Sequence, residues 1–598
     1  MLLMNHRKRI LAFLTIFFVM LLFVDQVSAQ GFLKTRGKQI VDEDGAPYML
    51  KSMGLGGWMI QEGYMLRTSG FADTQHEIEQ HIADLTSESF KDDFYNAWLE
   101  NHFRRIDLDS LQAWGFNSVR VAMHYKWFTP PIQEEPVQGE VTWKARGFAM
   151  LDTLLQWCGE NQMYLILDLH AAPGGQGYNA SINDYDPNKP SLWESEFNKK
   201  KTAALWKKLA ARYADEPWMG GYDLINETNW TFEGHTEGDN ARNGCQDTLN
   251  KPLHKLMVRI TDSIRTVDQN HIIFIEGNCW ANNFNGLTPP WDDNMVYSFH
   301  KYWNPNTQEA IQEFLNMREK YNIPLWLGET GENSNTWYTN CIRLLDQHQI
   351  GWSWWPEKQL GDQNNPLTVK MNSGYKELLE YWRGNAPKPE KSFARDALMQ
   401  LTEKLKLENC IYNRDVIDAM FRQPHTAETK PYKRHSFPGK VHAVDYDLGR
   451  VQHAYCDNDN SNTEFRAPTN RGGVYRNDGV DIEPCTDQTS NGYNVGWIED
   501  GEWLQYTIPV EKQGNYTLSF RIAAKQEGGK FYLTMDGQQV GSNMNVPKTG
   551  GDQRWQTLEM KPVFLESGTH TFRIRIDTGG FNLNFFKAQP APRARARV

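Results

Sequence analysis

Cysteine is scarce in this chain, seven residues in 598. None falls in a Cys-x-x-Cys pair or beside histidines at ligand spacing, which excludes the common zinc motifs, and no metal or other cofactor is expected. Positive charge is not in excess: 63 Lys and Arg stand against 74 Asp and Glu, a formal net charge of −11. A polyanion such as nucleic acid is therefore repelled overall, and a neutral polymer is the better partner. There is no internal repeat. The apolar run at residues 10–24 is short for a membrane span, and no cysteine follows it for lipidation. Arg7, Lys8 and Arg9 precede that run and Val27, Ser28 and Ala29 place small residues before Gln30, so residues 1–29 read as a cleaved secretory signal. The protein is expected to be secreted or periplasmic. In an oxidising compartment Cys456 and Cys485 are candidates for a bridge, and the odd total leaves at least one thiol unpaired.

What is present is bulk enough for large cores: 40% hydrophobic and 13% aromatic residues, in a length that predicts two domains. The 22 Trp suit sugar stacking, although most indoles in any protein simply pack. Eight apolar runs, at residues 48–53, 118–122, 164–169, 222–225, 272–275, 296–299, 325–327 and 350–354, alternate with segments of helical spacing such as 147–160, 195–212, 252–267, 308–321 and 338–348. That rhythm predicts an α/β chain with a (β/α)8 TIM barrel. Residues 67–100 are additional, helical material on the first loop, and residues 391–421 a helix pair added to the barrel. From residue 439 helical periodicity gives way to short runs separated by Gly, Asn and Asp, which predicts an all-β, jelly-roll-like sandwich. The expected organisation is a signal at 1–29, a barrel with helical extension at 30–423, an unstructured linker at 424–438, the sandwich at 439–587 and a basic, disordered tail at 588–598.

The barrel's candidate site is a pair of carboxylates. In residues 221–229, GYDLINETN, an apolar core runs into Asn226 and Glu227; in residues 324–332, PLWLGETGE, Glu329 closes another strand between Gly328 and Gly331. Two carboxylates at strand ends of one parallel barrel face each other across its mouth, the arrangement that glycoside hydrolysis requires. Glu332 is the alternative inward carboxylate. His170 follows a strand ahead of a Gly-rich loop, His300 and Tyr302 repeat that placement, and Arg120 ends the run GFNSVR, where an inward guanidinium needs Glu329 or Asp168 as its partner.

These residues also resemble a known family. Residues 115–120 (GFNSVR), 168–170 (DLH), Asn226 with Glu227, His300 with Tyr302, Gly328 with Glu329 and the strand-end Trp355 are similar, in order and placement, to the motif series of glycoside hydrolase family 5 over roughly residues 31–385. The resemblance implies a retaining mechanism with Glu227 as acid/base and Glu329 as nucleophile. It implies Asn226 on the sugar 2-hydroxyl, Tyr302 and Arg120 orienting Glu329, His170 and His300 lining the site, and Trp355 as a sugar platform. Thr228 stands where that family commonly has proline. The sandwich resembles a family 6 carbohydrate-binding module, on residues 473–476 (GVYR), 478–483 (DGVDIE), 492–497 (GYNVGW), 501–504 (GEWL) and 577–584 (DTGGFNLN). Trp497 matches one platform aromatic of that family's cleft and Asn582 its asparagine, whereas Asp552 falls at the second platform. His442 and Val444 stand where that family has two calcium-holding glutamates, so tight calcium binding is not expected.

The expected function is hydrolysis of a β-glucan by a monomeric secreted enzyme, with the sandwich raising local concentration on the polymer without contributing to chemistry. Hydrolysis of β-mannan or a xylan-decorated polymer, exo attack on β-1,3-glucan, and a non-catalytic polysaccharide-binding protein are the alternatives.

Overall fold

The computed structural model describes residues 31–463 and 474–592; the expected signal lies outside the described residues. Eight parallel strands close into a barrel: β1 (Lys51–Gly54), β2 (Ser118–His124), β3 (Tyr164–Ala171), β4 (Met219–Asp223), β5 (Ile272–Glu276), β6 (Met295–Lys301), β7 (Leu325–Gly331) and β8 (Gly351–Trp355), with β8 paired to β1. These are the eight expected runs. Every residue of β2 to β8 is buried, because a parallel strand has the barrel interior on one side and helices on the other. The floor is closed by Leu33 and Ile40 of an N-terminal hairpin, packed with Tyr164, Ile166, Phe274 and Trp326.

The helices alternate with the strands as expected, including Ala145–Asn161, Glu196–Tyr213, Lys251–Arg265 and Asn335–Gln347. The extra first-loop material forms two helices, Gln75–Leu85 and Glu88–His102. The first is fixed by a capping box, Thr74 Oγ1 accepting from Glu77 N while Glu77 Oε2 accepts from Thr74 N. The second packs on the added helix Lys391–Lys404. Both added helices, Lys391–Lys404 and Arg414–Phe421, share the barrel's hydrophobic core.

The C-terminal unit is a sandwich of two antiparallel sheets. One is built on Gly514–Ala523 and Asn582–Pro590, the other on Trp503–Val510, Lys530–Met535 and Gly568–Thr578. Leu518, Phe520 and Phe586 of the first sheet meet Ile508, Phe531 and Phe572 of the second in a core separate from the barrel's.

Three expectations need correction. Residues 424–438 are not unstructured: Lys430 pairs with Leu448, and Phe437 is fully buried, its N–H donating to Pro509 O at 2.8 Å. An aromatic in a basic, proline-bearing segment is enough to anchor it. The tail does not begin at 588, since the last strand runs to Pro590 with Ala588 buried against Gly439; residues 593–598 lie outside the described residues. Cys456 and Cys485 are both free, because Cys456 pairs with Trp503 in one sheet while Cys485 follows a strand of the other. The disulfide joins Cys245 to Cys279, on the loops after β4 and β5.

Candidate active site

At the C-terminal mouth of the barrel lies a cavity of about 1030 Å³ whose lining includes Glu227, Glu329, His170, His300, Tyr302 and Trp355. Glu329 is the fifth residue of β7 and pairs in register with His300 of β6. Gly328 is needed beside it, since a Cβ there would stand 2.1 Å from Ser298 Oγ. At Gly331, with φ +147°, a Cβ would meet Trp355 O at 2.2 Å. Glu227 lies past the end of β4, further along than the sequence pattern placed the strand, in a left-handed conformation with φ +36°. Trp280, Trp303 and Glu332, on the loops after β5, β6 and β7, are left-handed too and line the same cavity. Each such non-glycine residue costs of order 1–2 kcal/mol, and backbone strain of this kind concentrates at functional sites.

Beneath the cavity, Arg120 of β2 is completely buried. Its Nη1 donates to Glu329 Oε1 at 2.5 Å, and its Nη2 to Glu276 Oε1 at 2.7 Å and Asn226 Oδ1 at 2.9 Å. Its Nε reaches Asp223 Oδ2 at 3.0 Å, and Asp168 Oδ1 lies 3.3 Å from Nη2. Both partners considered for it from sequence are therefore present. Tyr302 donates to Glu329 Oε2 at 3.2 Å. His300 Nδ1 stands 2.6 Å from Glu227 Oε1 and its Nε2 3.2 Å from Glu276 Oε1. Glu276 Oε2 accepts the backbone N–H of Glu227 at 2.6 Å, so one carboxylate holds both the main chain of Glu227 and the imidazole against its side chain. One oxygen each of Glu227 and Glu329, with a nitrogen of His300, all lie within 4.8 Å of one another.

Electrostatics follow from this crowding. Burial raises the pKa of Glu227; the bond from His300 pulls against it, the charges on Glu329 and Glu276 add to it, and the net shift is upward. Burial would also raise Glu276, but His300, Arg120 and the N–H of Glu227 outweigh it and hold its carboxyl at about 2. Burial disfavours a charged His300, yet Glu276 and Glu329 beside it and its bond to Glu227 lift it well above the ordinary imidazole range. His170, bonded through Nδ1 to Asp168 Oδ2 at 2.8 Å, is lifted to about 9 by that carboxylate against the cost of burial. Its ring stacks on Trp355 at 5.0 Å between centroids, and Trp355 Nε1 donates to Tyr64 OH at 3.0 Å.

Three groups in this cluster have ligand atoms spaced as a cation would need them: Asp168, His170 and Glu329; Glu227, His300 and Glu329; Asp168, Asp223 and Glu276. In all three a guanidinium or imidazole already sits against the carboxylates.

All eight barrel residues named from sequence thus converge. Several lining or supporting residues were not named: Glu62, Tyr64, Asp223, Glu276 and Trp280. Glu276 closes the apolar run 272–275 as Glu227 and Glu329 close theirs, so the same signal was available for it. Glu332, the alternative inward carboxylate, lines the cavity beside Glu329 rather than in place of it. Burial, opposed by a bond with Tyr64 and reinforced by Glu329, lifts Glu332 to about 7; burial, partly offset by His170, lifts Glu62 to about 8.

In the sandwich, Trp497 is 45% exposed. Asn582 sits beside Gly496, where a Cβ would be 3.4 Å from its Oδ1, and its Nδ2 donates to Glu483 Oε1 at 2.7 Å and Asp552 O at 2.9 Å. Asn582 is thus bonded to Asp552 and lies against Gly496, the residue before Trp497.

Two close glutamates at the mouth of a parallel eight-stranded barrel are an arrangement suited to glycoside hydrolysis. Residues 86–359 match the model of cellulase (glycosyl hydrolase family 5), and residues 474–589 that of carbohydrate binding module family 6. The chain carries a glycosyl hydrolase family 5 domain followed by a family 6 carbohydrate-binding module. Among its relatives, a beta-xylosidase of Phanerodontia chrysosporium is 29% identical over 45% of this chain and 52% of its own length; the chain thus spans about half of that protein. Endoglucanase C of Acetivibrio thermocellus is 25% identical over 44% of this chain and 88% of its own. Among solved structures, a carbohydrate binding module of Cellvibrio mixtus lichenase 5A in complex with cellotriose is 33% identical, covering 18% of this chain and 86% of its own, with a TM-score of 0.17.

Proposed function

We propose that the protein is an exported, retaining glycoside hydrolase that cleaves β-glycosidic bonds of a neutral polysaccharide, a β-glucan first among them. The observation that carries this reading is the approach of Glu227 and Glu329 to within 4.8 Å, oxygen to oxygen, at the mouth of one cavity. Retaining sites hold their carboxyls about 5–5.5 Å apart, whereas inverting sites leave about 6.5–9.5 Å for a water. In the first step Glu329 attacks the anomeric carbon, the bond to the leaving oxygen breaks, and Glu227 gives that oxygen its proton. The nucleophile role asks for an ionised carboxylate, and Arg120 is the counter-charge in contact with it. Once Glu329 is an ester its charge is gone, which lowers the pKa of Glu227. Glu227 then takes a proton from water, the water adds to the anomeric carbon, and Glu329 leaves as carboxylate. In this reading Asn226, held by Arg120, bonds the sugar 2-hydroxyl and Trp355 offers the ring a flat apolar face.

The relatives, a beta-xylosidase and an endoglucanase, support a β-linked polysaccharide and leave the sugar open. A second reading, attack from a chain end, is favoured by Glu62 and Glu332: two further carboxyls of the cavity lining, the first buried and the second half-buried, supply partners for the free hydroxyls of a terminal sugar. Product analysis on defined β-glucan, mannan and xylan oligosaccharides, with proton NMR of the first-formed product, tests all of this. A β-anomer is expected; an initial α-anomer from a β-glycan removes the nucleophile role of Glu329.

A further inference from the structure

The loop that follows Glu329 is held by the sandwich. Residues 333–336 leave β7 directly after Glu332 and start the helix Asn335–Gln347, and all four are buried. Asn335 N donates to Asn477 O at 2.7 Å, and Asn477 Nδ2 donates back to Asn333 O at 2.8 Å and Asn335 Oδ1 at 3.2 Å. Asn335 Nδ2 is shared between Asp478 Oδ1 at 2.7 Å and Asp415 Oδ2 at 2.8 Å, the latter from the added helix Arg414–Phe421. Asp415 Oδ2 in turn accepts Asn477 N at 2.8 Å. Ser334 Oγ donates to Asn460 O at 2.5 Å, Asn333 Nδ2 to Asn462 O at 2.7 Å, and Thr336 Oγ1 meets Tyr455 OH at 2.6 Å. On the sandwich side Asp478 is fixed by an ion pair with the buried Arg476.

A loose tether needs none of this. Buried polar groups left unpaired cost about 1–3 kcal/mol each, so a loop that turns Asn333, Ser334, Asn335 and Thr336 toward partners on the sandwich draws on the sandwich for its conformation. What the loop carries is the wall of the cavity. Glu332 is left-handed, lines the cavity, and accepts from Trp303 Nε1 through its carbonyl at 3.1 Å. Glu329 lies three residues before it, on a strand end whose last residue, Gly331, packs so closely on Trp355 O that a Cβ there would stand 2.2 Å from it.

We propose that the sandwich is a positioning unit of the hydrolytic site: Asn477, Asp478 and Tyr455 hold residues 333–336 and, through them, Glu329 and Glu332. Turnover of small soluble substrates then depends on the module, as well as capture of polymer. This rests on the assignment of Glu329 to the hydrolytic site, and the test keeps the two apart by including a readout that needs no substrate.

The experiment compares the full chain with Asn477→Ala, with Tyr455→Phe and Thr336→Val as milder variants, and with Phe564→Ala on an exposed strand residue of the same module outside these contacts. Amide hydrogen exchange is followed across residues 328–338, and kcat and KM are measured on a soluble cello-oligosaccharide that the unaltered chain hydrolyses. Faster exchange in that segment with a roughly tenfold lower kcat and little change in KM is expected for Asn477→Ala, since small misplacements of reacting groups carry penalties of that size. Smaller effects of the same kind are expected for the milder pair, and none for Phe564→Ala. Should the alanine variant not fold, the milder pair decides. Unaltered exchange and kcat in the folded variants overturn the proposal. Faster exchange with unaltered kcat also overturns it, reducing the contacts to structural glue. A chain that hydrolyses none of the oligosaccharides while exchange still rises in Asn477→Ala tells against the functional assignment and not against the contact.

Discussion

Glu276 accepts the backbone N–H of Glu227 at 2.6 Å while lying 3.2 Å from the imidazole that bonds the Glu227 side chain. The residue assigned to proton transfer is thus held at main chain and side chain by one buried carboxylate on the next strand. In Glu276→Gln a negative charge that raises the pKa of Glu227 is removed. The alkaline limb of kcat/KM against pH, which falls as the acid loses its proton, is expected to move to lower pH, with kcat reduced about tenfold or more at the former optimum. A pH–rate profile of the variant with an unmoved alkaline limb assigns Glu276 to packing.

Truncation of either glutamate is the direct test of the pair. Glu227→Ala and Glu329→Ala are each expected to lower kcat by at least about 10². Both should stay folded, because Arg120 keeps Asp168, Asp223 and Glu276 as partners when Glu329 is lost. Kinetics on the best soluble substrate, alongside a thermal melt, check this; near-normal turnover in either variant removes it from the mechanism.

The barrel was legible in the sequence for a physical reason: strands buried on both faces appear as uninterrupted apolar runs, and polar residues that end such runs gather, still buried, at the mouth. Asp223 escaped because it lies inside a run counted as apolar. Glu62 escaped because it follows β1 among glycines, with no apolar strand leading up to it. The Cys245–Cys279 bridge depends on loops meeting in space, which spacing does not encode. Phe437 escaped because its lysine-rich surroundings read as solvated, and the asparagines at 333, 335 and 477 because polar residues in loops carry no sign of burial.

Stability should report the two perturbed groups at opposite ends of the pH scale. Glu276 is held at about 2 against an ordinary value of 4.5, so its contribution is present above 4.5 and is lost as pH falls from there toward 2. His170 is lifted to about 9 from 6.5, so its contribution is full below 6.5 and is lost as pH rises through 9. The melting temperature of the full chain is expected to be highest between these windows. In His170→Asn the fall between pH 6.5 and 9 should be shallower, and an unchanged slope assigns that fall to other groups.

The disulfide serves the cavity as well as the fold. Cys245 and Cys279 join the loops after β4 and β5, 34 residues apart, and Cys279, Trp280 and Ala281 are consecutive left-handed residues, φ 55°, 53° and 61°. No glycine relieves that turn, so it persists only where its surroundings impose it. Asn278 is pinned by its Oδ1 to Trp230 N at 3.1 Å and by its Nδ2 to Trp230 O at 2.8 Å, fixing one side of the turn to the loop that carries Glu227. The bridge fixes the other side. Trp280, at the tip, faces the cavity and offers a stacking surface away from Trp355. Replacing both cysteines by serine is expected to cost about 2–4 kcal/mol of stability, the range for a bridge closing a loop of this length. It should also raise KM on longer oligosaccharides several-fold while leaving kcat nearly unchanged, because the reacting carboxyls keep their partners on β2 and β6 and only a sugar contact away from them is loosened. Trp280→Ala with the bridge intact should reproduce the KM effect without the loss of stability. A double-serine variant that melts earlier but binds normally would limit the bridge to the fold and remove Trp280 from substrate binding.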